Sequence, residues 1–116
     1  MPSIDVNQLI AAVTTQVNTV LQKDIATVQG FARDQLEGIA NQAKIIAEAF
    51  ASGASTEAQF KGDMDDLAKI SRTFVKVMTG LLIIEVEKVW NAVVKVVWDA
   101  IDSAIGSAVK LPLPKL

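Results

Sequence analysis

The sequence predicts an all-α protein, and three observations carry that expectation. Apolar residues recur at the helical period through most of the chain. A single stretch, Ser52 to Thr56, reads as a clear turn. Cap-forming residues stand where the periodic segments begin, and prolines stand where the last one must end.

Ser3 or Asp5, with Pro2 ahead of them, can cap a first helix. From Ile10 the apolar positions run through Val13, Val17, Leu21, Ile25, Val28, Ala32, Leu36, Ile39, Ala43 and Ile46 to Phe50. Their mean spacing is about 3.6 residues, the period of a straight α-helix, with no slip of register. Gly30 and Gly38 lie inside this pattern, and each weakens a helix by about 1 kcal/mol relative to Ala. They read as tolerated surface glycines or, with Ala26, as a small-residue stripe that another helix can approach. Gly53 suits the left-handed position that ends a helix. Thr56-Glu57-Ala58-Gln59 matches a capping box, and Gly62-Asp63 offers a second start, so 57–61 reads as a short turn of its own.

The most demanding stretch is Phe74 to Ile105. On a wheel of 100° per residue, Glu85, Lys88, Ala92, Lys95, Asp99 and Asp102 share one arc. Leu82, Val86, Val89, Val93, Val97, Ala100 and Ala104 occupy the opposite one, flanked by Met78, Trp90, Val96 and Ile101. The apolar arc spans roughly half the circumference, wider than the ~100° a surface helix needs. Trp98, Ile84, Leu81 and Val77 fall on the polar side, which makes them a candidate secondary contact. Pro112 and Pro114 should end the helix near Ala108 to Lys110, leaving 111–116 as an extended tail, disordered or laid on a neighbouring subunit.

One domain of 116 residues follows from the length. The preferred arrangement is a long antiparallel hairpin, helix 4–52, turn 53–56 and helix 57–110, assembling into a larger bundle. Each helix would be about 70 Å long at 1.5 Å per residue. The alternative is a compact four-helix bundle with breaks near Gly30 and Gly80.

Composition narrows function by exclusion. The net charge is -2 and no basic patch accumulates, so nucleic acid is not an expected partner. With no Cys, His or Tyr, thiolate chemistry, ordinary zinc sites and the commonest general base are missing. Asp63, Asp65 and Asp66 lack the rest of a calcium loop and read as acids at a helix start. Glu85, Glu87 and Asp99 read as the solvated arc, with Glu85–Lys88 and Lys95–Asp99 as helical ion pairs. Neither catalysis, a cofactor, a metal nor a small-molecule substrate is expected. The first residues lack a basic segment and no run approaches the ~20 apolar residues of a span, so a cytoplasmic or particle-associated protein is expected.

The segment VWNAVVKVVWDAI resembles the Trp-Asn/Asp-Ala-Ile phrasing of phage tail tape-measure proteins. The resemblance is confined to that segment and implies membership of a macromolecular assembly without assigning residue roles. The expected function is a structural or interaction subunit that self-associates through Met78, Leu82, Val86, Val89, Trp90, Val93, Val97 and Ile101, with Leu81, Ile84 and Trp98 as second contact. The other expectation is a lipid-surface protein that lays the same face on a membrane. In the first case an aspartate at Val93 should break the assembly, and in the second it should abolish liposome binding and leave the chain folded, while Glu87→Ala should shift stability by only a few tenths of a kcal/mol. Circular dichroism should report more than about half helix, and a lower value would overturn the all-α expectation.

Overall fold

The computed structural model describes residues 3–116; Pro2, expected just before the first cap, lies outside them. Four helices, α1 (Val6–Leu21), α2 (Arg33–Ala51), α3 (Glu57–Lys76) and α4 (Ile83–Ala104), pack together, with a single 3-10 turn at Ile25–Thr27. No strand occurs among the described residues, so the all-α class holds.

The long hairpin does not form. Its first helix is divided over 22–32, and its second over 77–82 and again after Ala104. The longest dimension is 42 Å, where the hairpin required about 70 Å. The compact four-helix bundle is the arrangement adopted, with breaks that include Gly30 and Gly80.

Each boundary has a local cause. Asp5 caps α1 by accepting from the Gln8 amide. α1 ends where Gln22 turns left-handed at φ 57°. Asn18 then accepts from the Ile25 amide and Asp24 from the Ala26 amide, two side chains offering the backbone an alternative to helix. Ile25 stays buried and Val28 half-buried, so the apolar spacing persists while the helix does not. Gly53, at φ 80°, ends α2 as expected. The Ala54 amide donates to the Ala49 carbonyl at 2.8 Å and the Gly53 amide to Phe50 at 3.1 Å, the paired bonds of a Schellman motif.

The Thr56 capping box closes in both directions, Thr56 N–H to Gln59 and Gln59 N–H to Thr56. α3 runs from Glu57 straight through Gly62, so 57–61 is not a separate turn. α4 stops six residues short of Lys110. Gly106 and Ser107 both adopt positive φ, and the Ser107 amide reaches back to the Asp102 carbonyl.

Tertiary contacts make the order up-down-up-down. Lys23, just past α1, pairs with Glu85 in the first turn of α4, and Ser3 donates to Glu48 near the end of α2. α1 packs most extensively on α4, and α2 on α3. Phe50 and Phe60 stack at 4.5 Å across the tight α2–α3 turn, and Phe31 meets Phe74 edge-on, pinning the long connection to α3. α4 touches all three other helices and buries Val89, Trp90, Ala92, Val93, Val94, Val97, Trp98 and Ile101.

The two connections at the α1–α2 and α3–α4 end meet at Gly30. The Thr79 amide donates to the Gln29 carbonyl at 2.9 Å. Gly30 has φ 89°, and a Cβ there would stand 2.4 Å from the Val77 carbonyl oxygen. Gly38 has open space around it inside α2. Gly30 is therefore a close backbone approach, and no small-residue helix stripe forms. Opposite outcomes follow for one substitution. Gly30→Ala should cost about 1–3 kcal/mol, combining a positive φ with a backbone clash. Gly38→Ala should stabilise by up to about 1 kcal/mol. Urea unfolding midpoints of the two variants, moving in opposite directions, check both.

Candidate functional site

Most of the expected interaction face is spent inside the chain. Val89, Val93 and Ile101 have no measurable exposure, and Met78, Trp90 and Val97 are also buried. Val86 is half-buried and packs against the core. Only Leu82 of that set stands out, at 67% exposure. The wide arc does not require other copies, because α1, α2, α3 and the tail of the same chain cover it. That removes the reason for expecting self-association through this face.

The second set divides as well. Trp98 is buried, contrary to its place among the charges of α4, because α3 and the tail cover that side. Ile84 is 60% exposed and Leu81 half-buried. Ile83, in neither expected set, is the most exposed large apolar residue among those described, at 82%. Its signal was the run Leu81-Leu82-Ile83-Ile84 after Gly80. Successive residues of a helical turn point 100° apart, so no single packing partner can bury them all.

These residues form an apolar end on the bundle. Val77, at 39% exposure, closes α3 five residues earlier in the chain. Together Val77, Leu82, Ile83 and Ile84 present on the order of 400 Å² of surface, the size of the largest patch on many monomers and often a functional one.

The turn that carries the patch is held by charge. Leu82 has no side-chain acceptor, so only half of a capping box exists: Glu85 accepts from the Leu82 amide at 3.1 Å. Lys23 lies 3.3 Å from the other Glu85 oxygen. The Leu82 amide first, and Lys23 second, hold the Glu85 carboxyl below its ordinary pKa. At neutral pH Glu85 is ionised and anchors the start of α4 to the end of α1. The charges that flank this turn in the sequence are mixed, Lys76 before it and Glu85, Glu87 and Lys88 after it, and Lys23 reaches Glu85 from the end of α1.

A second surface lies on the opposite side of α4 from α1. The tail is not free, nor is it laid on a neighbour: it runs extended along α3 and α4. Trp90 donates from Nε1 to the Pro114 carbonyl at 3.0 Å. Arg72 donates from Nε to the Lys115 carbonyl at 3.0 Å, with its guanidinium 5.5 Å over the Trp90 ring.

Among the described residues no group of three or more His, Cys, Asp or Glu side chains converges to hold a metal. No helix there is long and apolar enough to cross a membrane. Comparison with protein-family models, curated proteins and solved structures yields no match.

The place of Val93 changes what its substitution tests. A carboxylate at this fully buried position has no partner and should cost several kcal/mol. Val93→Asp is expected to unfold the single chain, with loss of helical signal at every concentration. A folded variant that had merely lost higher-order mass would return Val93 to an intermolecular face.

Proposed function

We propose that the protein is a non-enzymatic interaction module whose contact surface is the apolar end formed by Val77, Leu82, Ile83 and Ile84. The supporting observation is that three consecutive residues, Leu82, Ile83 and Ile84, are exposed together, whereas outside the tail Ile45 and Ile70 are exposed singly. A soluble fold gains nothing from leaving two isoleucines in water, at ~25 cal/mol per Å², unless something covers them.

The first occupant proposed is a second copy of the chain. Two such patches face to face would bury about 800 Å², below the ~1,200 Å² of a standard stable interface. Self-association is therefore weak and concentration-dependent, in place of the larger bundle expected through the α4 face.

The second occupant, a lipid surface, is favoured by one feature. Side chains that radiate around the start of α4 are more fully covered by a medium that surrounds them than by a flat partner. The mixed charges around the patch favour neutral headgroups over anionic ones.

Light-scattering mass, measured across concentration with and without phosphatidylcholine vesicles, tests the proposal. The mass should rise above 12.4 kDa with concentration, and Ile83→Glu should hold it at the monomer. That variant should unfold within about 0.5 kcal/mol of the parent, since the site is exposed. Mass growth only on vesicles would transfer the patch to lipid. A monomer indifferent to concentration and vesicles would overturn both occupants.

A further inference from the structure

The groove between α3 and α4 carries an inference separate from the apolar end. Its floor includes Met64, Ala68, Trp90 and Trp98, all buried, and its occupant is the segment Leu111-Pro112-Leu113-Pro114-Lys115. Two polar groups of the groove bond this segment, the Trp90 indole N–H and the Arg72 guanidinium, and both are met by main-chain carbonyls, while Lys61 and Asp65 line the cleft without bonding it. An ordinary extended strand would also bring amide N–H groups needing acceptors. A proline-containing strand brings carbonyls and omits the N–H at each proline, so it suits the two donors that meet the segment. Proline also holds the segment extended before it docks, which lowers the entropy lost on docking.

The tail does not fill its groove. A cleft of about 380 Å³ stays open beside it, lined by Met64, Ala68, Trp98 and the tail, and also by Lys61, Asp65 and Lys110. Leu113 is 53% exposed and Leu116 42%, so two of the tail's three leucines contribute little to docking. Donor pattern, aromatic floor and unfilled volume together describe a site that accepts this class of segment without being specialised to this one.

We propose that the α3–α4 groove is a recognition site for extended Leu-Pro-x-Pro segments of another chain, which the protein's own tail occupies in competition. Trp90 and Arg72 read the carbonyl oxygens of adjacent residues, and the Met64–Ala68–Trp98 floor takes the leucine and proline ahead of them. Docking of a partner segment displaces 111–115 and leaves the four helices as they are.

Trp90 and Trp98 are the two tryptophans of the chain, so intrinsic fluorescence reports on this groove directly. The full chain carrying Leu111→Asp, with Pro114→Gly as a milder second variant, frees the groove from its tail. Freeing it should shift tryptophan emission to the red while helical circular dichroism is kept. Titration with the peptide Lys-Leu-Pro-Leu-Pro-Lys-Leu should then restore the blue emission saturably. Adding Arg72→Ala should weaken uptake by about fivefold or more, the worth of one charge-assisted hydrogen bond. A peptide with both prolines changed to alanine should also bind more weakly. Absence of saturable uptake in both variants, or equal uptake of the alanine peptide, overturns the proposal. A doubling of mass in the variants without peptide uptake would assign the groove to tail exchange between copies, and would overturn it too.

Discussion

One helix that is apolar around most of its circumference sets the terms for the rest of the chain. α4 buries Val89, Trp90, Ala92, Val93, Val94, Val97, Trp98 and Ile101, leaving a narrow polar stripe that includes Lys88, Asn91, Lys95 and Asp99. No single neighbour covers such a surface, because a helix pair buries only facing stripes. The chain supplies α1 on one side, α2 and α3 on another, and the tail over the two tryptophans. The breaks over 22–32 and 77–82 follow from that need. An unbroken hairpin brings only one helix to α4, whereas folding each half once brings three.

Folding the halves creates a joint, and the joint is built of backbone. Gly30 lets the first connection lie directly on Val77, and Thr79 bonds to Gln29 across the contact. Lys23 and Glu85 add an exposed ion pair, of the kind that contributes little to stability by itself. Its consequence is geometric, because Glu85 both accepts the Leu82 amide and faces Lys23. The first turn of α4 is thereby fixed in place with Leu82, Ile83 and Ile84 pointing outward. A disordered loop could fold such residues inward, and this turn cannot.

Much of the fold was legible in the sequence, and its failures have physical causes. Eleven of the twelve positions from Ile10 to Phe50 read as apolar and periodic are buried, or half-buried and packed against the core, and the twelfth, Ala32, is half-buried. Periodicity reports which residues turn inward, and a 3-10 turn followed by an extended segment can turn Ile25 and Val28 inward as well as a helix does. The break was carried by Asn18 and Asp24, whose side chains compete for backbone amides, and by Gly30, whose role lies in a contact 47 residues away in sequence. A single-sequence pattern contains no distance across the fold. The α4 face was found correctly as a surface needing partners, and misassigned to other copies, because the hairpin left no helices in the same chain to supply them. Trp98 was misread for the same reason. A wheel assigns sides by neighbouring charges, and Trp98 is buried by a segment that the wheel does not include.

The two surfaces that remain differ in what they ask of a partner. At the end of the bundle, Leu82, Ile83 and Ile84 offer area without directional groups, so they can distinguish apolar from polar partners and little else. The α3–α4 groove offers two fixed donors, an aromatic floor and a defined strand direction, set by Trp90 and Arg72 reading the carbonyls of adjacent residues. Area of the first kind supplies adhesion, and donors of the second kind supply selectivity, because an unmatched carbonyl pattern would leave the indole N–H buried without a partner. A chain with no His, Cys or Tyr has few groups for chemistry. On the two proposals above, it would hold one partner loosely and choose another by its backbone.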